Sequence, residues 1–298
     1  MKLTYCIQKK DTYTSVKEVL LSQFKISKRL LTKLKQTQSI YRNDTICTVS
    51  QSVTWGDTIC VSFEQIEDTE NIVPIHMPLS ILYEDECYLV INKPAGIPVH
   101  PSCYHYEDSL SNGVRYYFDS IGLLKKIRPV NRIDRDTTGL VIFAKNEYVQ
   151  ESLIRQMHNG QFQKEYLTIV EGIFTQKQGS ICAPIARKAR SIMERQIDAS
   201  GQQAITHYQV IQESYVQNFP ISIVSCQLET GRTHQIRVHM AYCLHPLLGD
   251  TLYGLPSPLI NRQALHSYKC CFYHPIHHQL VEYTAPIPKD MQCFFNNN

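Results

Sequence analysis

The chain lacks the features that mark membrane, fibrous and low-complexity proteins. No apolar run approaches the roughly 18 residues that a membrane-spanning helix needs. The opening residues, MKLTYCIQKKDTYT, contain no apolar core of a signal peptide, so we expect a protein that neither crosses nor enters a membrane. With 12 glycines, 14 prolines and 43% hydrophobic residues, the 298-residue chain has an ordinary globular composition. This length is sufficient for a well-buried core and two domains.

A disulfide framework is also missing. The eleven cysteines include no C-x-x-C pair, and they are scattered from Cys6 to Cys293. An odd, dispersed set of this kind fits buried thiols in a reducing compartment better than disulfides. We therefore expect a cytoplasmic protein.

Signals for a bound metal or phosphate are incomplete. His234 and His239 are five positions apart, which is the wrong spacing for two ligands on one helix face, and no zinc motif completes them. A second group, His274, His277 and His278, has no cysteine or carboxylate at ligand spacing, and we interpret it as structural. No glycine-rich phosphate-binding loop is present. The sequence therefore predicts no metal and no organic cofactor.

Acidic residues are absent from residues 25–42, KISKRLLTKLKQTQSIYR. The six cations of this segment are Lys25, Lys28, Arg29, Lys33, Lys35 and Arg42, and residues 1–66 carry 10 Lys and Arg against 5 Asp and Glu. Apolar residues at helical spacing, Ile26, Leu30, Leu31 and Leu34, predict a helix that buries one face and presents Lys28, Arg29, Lys33 and Lys35 outward. Such a face is often only solvated surface, but this many unbalanced charges favours binding of a polyanion.

Composition divides the chain into three parts. Short strands with turns at Asn43-Asp44 and Trp55-Gly56-Asp57 are predicted after the basic helix. Residues 67–79 are polar and contain proline, which predicts a linker. The expected units are an N-terminal module over residues 1–66, the linker over residues 67–79, and a larger domain over residues 80–298.

Within the larger domain, strand patterns recur on both sides of one predicted helix. The strands are expected over residues 87–92, 163–172, 204–213 and 221–229, the last two as antiparallel neighbours. Asn146 is predicted to cap the helix, which continues to about residue 158 and ends at Asn159-Gly160. Residues 187–195, RKARSIMER, are predicted to form a basic hairpin or loop at the surface.

The first stretch that suggests chemistry covers residues 128–145, RPVNRIDRDTTGLVIFAK. Residues 139–144 are uninterruptedly apolar and predict a strand buried on both faces. Just before this strand, Asp134 lies among the cations Arg132 and Arg135, where a carboxylate can be fixed at the mouth of a sheet. Alternating arginine and aspartate on a turn is also a common solvated ion-pair cluster of little energetic weight, and spacing alone leaves both interpretations open.

The second such stretch covers residues 229–245, ETGRTHQIRVHMAYCLH. Thr233 is predicted to cap a helix on which His234, Arg237 and Ala241 share a polar face. The opposite face, with Ile236, Met240 and Leu244, is predicted to be buried.

Together, these segments resemble the RluA/RluD-type pseudouridine synthases. The residues that match the family signature in the first stretch are Arg132, Asp134, Thr137, Thr138, Gly139, Leu140, Ala144 and Lys145. Asn131 departs from it, since the family usually has histidine there. The TGRTHQIRVH segment, the NKPAG and VHPS loop, and Lys164-x-Tyr166 also match, so that the resemblance covers roughly residues 80 to 290. Residues 1–66 resemble the small S4-like RNA-binding module of a small-subunit ribosomal protein and bacterial tyrosyl-tRNA synthetases.

The resemblance implies an enzyme that isomerises uridine to pseudouridine in structured RNA. It implies an α+β fold with a mixed, largely antiparallel catalytic sheet and a small α+β N-terminal module. Asp134 is implied as nucleophile or base, Arg237 as its fork-shaped partner, and Tyr166 as a ring that stacks on the uracil. Further implied substrate contacts are Arg132, which fills the gap left by the flipped base, and Asn131, Lys164, Thr138, Arg232 and His234.

The expected partner is RNA, contacted through Lys28, Arg29, Lys33, Lys35 and Arg42. At the family level, the expected target is large-subunit ribosomal RNA, with transfer RNA as the second choice, and the protein is expected to be a monomer. Asn131 is expected to affect loop shape or RNA target before it affects chemistry.

Two other function classes compete with this interpretation. The first is an RNA-binding ribosome-assembly factor on a synthase scaffold with secondary or lost catalysis, although the complete Asp134, Tyr166 and Arg237 set favours the enzyme. The second is a nucleoside hydrolase or glycosidase, which needs a second carboxylate placed across the substrate. Asp136 is a poor candidate for it, because it lies on the same loop as Asp134.

Overall fold

The computed structural model describes residues 1–67, 72–102 and 104–295. Its N-terminal part is a four-stranded antiparallel sheet in the order β1-β4-β2-β3. The strands are β1 (Lys2–Cys6), β2 (Ile40–Arg42), β3 (Thr45–Ile46) and β4 (Thr58–Ser62). Before β2 lie the short helix α1 (Val16–Glu18), which continues as one π-helical segment (Val19–Gln23), and helix α2 (Lys28–Gln36).

Helix α2 follows its sequence pattern closely. The side chain of Ser27 caps it by accepting a hydrogen bond from the backbone N–H of Leu30. Ile26, Leu30, Leu31 and Leu34 are buried, so the prediction of an amphipathic helix is confirmed. The predicted turns are also confirmed, since residues 43 and 44 and Gly56 have the positive φ angles that tight turns require.

The larger part of the chain forms a ten-stranded sheet. Its main path runs in the order β10-β13-β14-β9-β15-β8-β6-β5, while β16 pairs with β15 and β7 with β8. Its strands are β5 (Ile81–Glu84), β6 (Tyr88–Lys93), β7 (Arg128–Pro129), β8 (Thr138–Ala144), β9 (Gln163–Glu171), β10 (Gln178–Cys182), β13 (Ile205–Val216), β14 (Phe219–Leu228), β15 (Leu265–Tyr273) and β16 (Leu280–Thr284). The strands β11 (Ile185–Arg187) and β12 (Arg195–Ile197) form a separate hairpin.

Among the described residues, four helices accompany this sheet: α3 (Leu110–Ser120), α4 (Glu147–His158), α5 (Gln235–Tyr242) and α6 (Lys289–Phe295). Strands β8 and β15 are parallel, while the other paired strands of the sheet are antiparallel. The expected α+β fold with a mixed, largely antiparallel sheet is therefore confirmed.

Strand β8 lies near the middle of the sheet, and all of its residues are buried. This confirms the strand predicted over residues 139–144. Gly139 begins the close approach to β15: it has a φ of +107°, and a Cβ atom there would lie 2.2 Å from the carbonyl oxygen of Ser267. Only glycine permits this backbone contact, which fixes the loop before β8 against the start of β15.

Several further local predictions are confirmed. Asn146 caps α4 by accepting a hydrogen bond from the N–H of Val149, and the helix ends at Asn159. Strands β13 and β14 are antiparallel neighbours, as expected of residues 204–213 and 221–229. Residues 187–195 form the turn of the β11–β12 hairpin, with Ile192 and Met193 exposed.

The N-terminal sheet packs on the end of the main sheet where β8 finishes. Phe63 packs against Tyr148 with the rings tilted and their centroids 5.6 Å apart, and apolar residues of both sheets share one core cluster. Glu67 forms an ion pair of 2.6 Å with Arg128 and one of 2.7 Å with Lys33. Residues 68–71 of the predicted linker lie outside the described residues, and the division into units at residues 66 and 79 stays a prediction.

No helix among the described residues combines the length and apolar character needed to cross a membrane. The expectation of buried thiols holds in part: of the ten cysteines that the structure describes, Cys87, Cys226 and Cys270 are buried, whereas Cys6, Cys182 and Cys293 are exposed.

Candidate active site

Asp134 and Arg237 meet in the fold although 103 positions separate them in sequence. Arg237 donates from Nη1 to Asp134 Oδ2 at 3.0 Å. The loop before β8 carries Asp134, and helix α5, which follows β14, carries Arg237. The predicted partnership of these two side chains is therefore present in the structure.

The fork-shaped pairing predicted between Arg237 and Asp134 is wrong, because the fork belongs to Asp250. Arg237 Nε and Nη2 donate to the two oxygens of Asp250 at 2.7 and 2.8 Å, which leaves only Nη1 for Asp134. Asp250 is completely buried, between α5 and β15. No role is predicted for Asp250 from the sequence, although a lone carboxylate within the apolar run PLLGDTLYG is the available signal.

The prediction that Arg237 lies on a polar face of its helix is also wrong. Its side chain is only 8% exposed. Burial lowers the pKa of Arg237, but the hydrogen bonds and negative charges of Asp250 and Asp134 outweigh this effect and raise the pKa. The guanidinium therefore stays charged, and the ring of Tyr253 lies 5.1 Å from its central carbon as a cation-π contact.

The two oxygens of Asp134 have different surroundings. Oδ2 accepts the bond from Arg237, whereas Oδ1 accepts no hydrogen bond from the residues that the structure describes. The side chain is 24% exposed. One oxygen is thus fixed by a cation, and the other is available to a molecule that reaches this partly exposed side chain as a nucleophile or a base.

The backbone around Asp134 is held by a buried lysine. Lys93 Nζ donates to the carbonyl oxygens of Arg135, Pro94 and Ile97 at 2.7, 2.7 and 2.8 Å. The N–H of Gly96 donates to the same Arg135 carbonyl at 3.1 Å. Burial lowers the pKa of Lys93 to about 7, against the opposing charges of Asp136 and Asp134. The loop after β6 and the loop before β8 are thereby joined behind the site.

His234 faces the same carboxylate. Its Nε2 lies 3.9 Å from Asp134 Oδ2, and its Nδ1 lies 2.8 Å from the hydroxyl of Tyr253. That hydroxyl also accepts a hydrogen bond from the N–H of Arg195. Burial lowers the pKa of His234, and the ring is neutral at pH 7.

The predicted cap of this helix is wrong. His234, not Thr233, is the N-cap, and its backbone is left-handed with a φ of +58°. Instead, Gln235 Oε1 accepts from the N–H of Arg232 and the hydroxyl of Thr230, which closes the turn. Leu244 is also misassigned: Ile236 and Met240 are buried as predicted, but Leu244 follows the helix end with a φ of +64° and is 86% exposed.

Tyr166, which belongs to strand β9, lies near Asp134. The side chain is buried, and burial raises its pKa to about 12, with a hydrogen bond to Ser267 opposing and the charge of Asp134 adding to this effect. The hydroxyl therefore stays protonated. The structure thus brings together three predicted catalytic residues, Asp134, Arg237 and Tyr166, while their roles in the reaction stay predictions.

The predicted substrate contacts separate into two groups. Exposed Arg132 makes no hydrogen bond or ion pair with the described part of the chain, and the same is true of half-buried Lys164, whose Nζ lies beside Gly231. Burial lowers the pKa of Lys164. Exposed Arg232 donates from Nε to the carbonyl of Gln203 at 3.0 Å. All three polar groups lie at or near the protein surface.

Asn131 and Thr138 are instead engaged within the sheet. Asn131 donates to the carbonyl of Leu140 and accepts from the N–H of Ile142, both at 2.9 Å, so it extends the ladder of β8. The hydroxyl of Thr138 is buried 2.8 Å from His266 Nδ1. The structure assigns both side chains to support of the loop, and their predicted substrate contacts have no support from these positions.

The cations predicted to bind RNA also form two groups, those that pair with acids of the chain and those that do not. Three of them pair with acids of the chain: Arg29 with Glu147 at 2.8 Å, Lys33 with Glu147 at 3.0 Å and with Glu67, and Arg42 with Asp57 at 2.9 Å. Lys28 and Lys35 are exposed and form no ion pair within the described residues. RNA contact by this surface stays a prediction.

One group of potential metal ligands lies away from this site. Asp85, Cys87 and His274 place their donor atoms within 4.8 Å of one another. Both oxygens of Asp85 already accept hydrogen bonds, from the N–H groups of Cys87 and Tyr88 and from His274 Nε2 and Tyr83. Burial raises the pKa of the Cys87 thiol to about 12. These bonds agree with a structural role for His274, whose carboxylate partner the sequence did not reveal.

Comparison with known proteins places the same segments in one family. Residues 87–242 match the family model described as RNA pseudouridylate synthase. The RNA pseudouridine synthase YjbO of Bacillus subtilis is 40% identical over 89% of this chain and 93% of its own. Ribosomal large subunit pseudouridine synthase D of Zymomonas mobilis is 40% identical over 74% of this chain and 73% of its own. Human RNA pseudouridylate synthase domain containing 1 has a similar structure, with a TM-score of 0.58 at 25% identity, over 70% of this chain and 83% of that chain.

Proposed function

Because the chain belongs to the RluA/RluD-type family of RNA pseudouridine synthases, we propose that it isomerises a uridine of large-subunit ribosomal RNA and that Asp134 carries the reaction. The observation on which this rests is the asymmetry of Asp134: one oxygen is bound to Arg237, and the other accepts no hydrogen bond from the described residues. Such a carboxylate is charged, aimed and accessible at the same time.

The reaction needs few groups from the protein. The bond between uracil N1 and the ribose breaks, the base turns, and a bond forms from C5 to the same ribose carbon. The proton that leaves C5 is balanced by one that N1 gains. A stacked uracil cannot turn, so the nucleotide must leave the RNA stack at a cost of a few kcal/mol. Asp134 Oδ1 then acts either on a carbon of the base or sugar as a nucleophile or on a sugar proton as a base.

The neighbours of Asp134 suit both routes. Placing a flat base over the carboxylate removes water and disfavours its charge, but Arg237 counters this with a buried positive charge that Asp250 fixes. Tyr166 offers a ring beside the carboxylate on which an unstacked base can lie. Arg132 is exposed two positions before Asp134, where it can enter the gap that the base leaves.

The names of several relatives support the proposed target. The Zymomonas mobilis protein and other relatives at 34 to 40% identity are named ribosomal large subunit pseudouridine synthase D. We therefore propose that this chain acts on ribosomal RNA in the cytoplasm, with transfer RNA as the second choice. The S4-like module of residues 1–66 is proposed to contact the RNA through Lys28 and Lys35, and the protein is proposed to act as a monomer.

Mapping pseudouridines in cells with and without the gene tests the proposal. Loss of one or a few sites in large-subunit ribosomal RNA is expected on deletion, and the wild-type gene should restore them. A gene that encodes Asp134→Ala should not restore them. Loss confined to transfer RNA would overturn the proposed target, and restoration by Asp134→Ala would overturn the proposed catalytic residue.

A further inference from the structure

Arg262 contacts the loop that carries Asp134, although it lies far from it in sequence. Its Nη1 donates to the carbonyl oxygen of Asp136 at 3.1 Å, and to the carbonyl oxygens of Gln263 and Leu265 at 3.0 and 3.2 Å. The side chain is only 9% exposed. This guanidinium therefore joins the Asp134 loop to the start of β15.

The main chain of Arg262 contacts the loop of Asp250. Gly249 has a φ of +74°, and a Cβ atom there would lie 2.4 Å from the carbonyl oxygen of Arg262. The backbone of Ala264 also donates to the carbonyl of Leu248 at 2.9 Å. One residue thus touches both loops of the site: its side chain touches the Asp134 loop, and its backbone touches the loop of the carboxylate that holds Arg237.

The C-terminal helix holds Arg262 in place. Asp290 of α6 accepts from Arg262 Nε and Nη2 at 2.7 and 2.9 Å, which is a two-point pairing that fixes the plane of the guanidinium. Met291 and Phe294 of the same helix are fully buried in a cluster with Leu248. The helix is therefore packed against the Asp250 loop and hydrogen-bonded to the residue that supports the Asp134 loop.

We propose that Arg262, fixed by Asp290 of the C-terminal helix, is a positioning residue that sets the distance between Asp134 and Arg237. It touches none of the reacting atoms. The inference rests on the proposed role of Asp134, because only then does the 3.0 Å contact with Arg237 matter for the rate. A single hydrogen bond joins Asp134 to the Arg237–Asp250 pair, so a small shift of either loop removes it.

The effect of such a shift should fall on the chemical step. A misplacement of about 1 Å in a catalytic geometry can reduce a rate by about 100-fold, and the loss of one support should shift the loop by less. RNA binding should be unaffected, since the carboxylates of Asp134 and Asp290 are negatively charged and do not bind phosphate groups. The expected signature is a lower kcat with an unchanged KM.

Asp290→Asn is the informative variant, because Asp290 is 44% exposed and its replacement leaves the buried face of α6 intact. We expect kcat to fall by about 10-fold with KM within twofold of wild type. Asp290→Glu retains the carboxylate and should restore most of the rate. The matched control is Glu282→Gln, which removes an exposed carboxylate paired with Lys269 between β15 and β16; it should behave as wild type.

Urea unfolding and kinetics under conditions where every variant is folded complete the experiment. A kcat of Asp290→Asn within twofold of wild type would overturn the proposal, and so would an increase in KM without a decrease in kcat, which would indicate an RNA contact. Asp134→Asn, measured in parallel, separates the two claims. If Asp134→Asn is active, the proposed catalytic residue is wrong; if it is inactive while Asp290→Asn is fully active, only the positioning role fails.

Discussion

Asp134 and Asp250 share one guanidinium, and they share it unequally. Arg237 gives two nitrogens to the buried Asp250 and one to Asp134, at 2.7, 2.8 and 3.0 Å. Two carboxylates and one cation leave one net negative charge, and the accessible part of it is Asp134 Oδ1. Asp250 thus orients the arginine, and Asp134 carries the oxygen that is proposed to react.

Replacement of the buried partner should therefore harm both stability and rate. In Asp250→Asn, the guanidinium of Arg237 loses a compensating charge inside the protein, which should reduce the free energy of unfolding by about 3 kcal/mol. We expect kcat to fall by about 100-fold as the arginine moves away from Asp134. Urea unfolding and single-turnover kinetics measure the two effects. Glu282→Gln, which removes the exposed carboxylate paired with Lys269, is the control; equal behaviour of the two variants would contradict the assignment.

The buried Lys93 should give stability a particular pH dependence. Burial lowers its folded pKa to about 7, below about 10.4 in the unfolded chain. Between these values the unfolded chain binds a proton that the folded protein lacks, so the free energy of unfolding should rise with pH, by at most about 1.4 kcal/mol per unit. Below pH 7 the penalty is fully present. Urea unfolding between pH 7 and 9 should show this slope in the wild type but not in Lys93→Met. If the free energies of unfolding of the two proteins change with pH in parallel, the prediction is wrong.

The cations of α2 should differ in what they do. Lys28 and Lys35 are exposed without ion pairs among the described residues, so the double replacement by alanine should weaken RNA binding and reduce the salt slope by about 1 per lysine. Lys33 pairs with Glu67 and Glu147, and Lys33→Ala should change the slope by less. Binding titrations at several salt concentrations measure this. A larger decrease in the salt slope for Lys33→Ala than for the double variant would indicate that RNA does not bind at Lys28 and Lys35.

Asn131 should matter more for folding than for chemistry. Its two hydrogen bonds serve the backbone of Leu140 and Ile142, and Asn131→Ala leaves both groups without these partners, at a cost of about 1 to 3 kcal/mol. Asn131→Asp keeps the acceptor for the N–H of Ile142, so its free energy of unfolding should lie between those of Asn131→Ala and the wild type. Urea unfolding measures this order of stability. Equal stability of the wild type, Asn131→Ala and Asn131→Asp would show that residue 131, where the family usually has histidine, does not support the loop.

Local patterns predicted the secondary structure well for a physical reason. The strand over residues 139–144 and the helix that Asn146 caps depend on periodicity and on a single capping side chain, which are readable in sequence. The cap of α5 was missed because His234 has a left-handed backbone and becomes the N-cap, so that the helix begins one residue later than predicted. The exposure of Leu244 was missed because the helix ends two residues earlier.

The site was predictable only in part. Family motifs identified Asp134, Tyr166 and Arg237, but the fork of Arg237 was given to the wrong aspartate. Its true partner, Asp250, depends on how a loop after α5 folds back against the backbone of Arg262, and no local pattern encodes that contact. Lys93 and Arg262 were missed for the same reason, since each donates to one backbone carbonyl that is distant in sequence, that of Arg135 or of Asp136.

The central claim concerns one carboxylate, and the adjacent loop offers its own control. Asp136 lies two positions after Asp134, is likewise partly exposed, and pairs with Arg135 at 3.0 Å. We predict that Asp134→Asn, folded as judged by urea unfolding, forms no detectable pseudouridine in single-turnover reactions with large-subunit ribosomal RNA transcripts, whereas Asp136→Asn retains a rate within tenfold of wild type. Pseudouridine formation by Asp134→Asn at the wild-type rate would contradict the account.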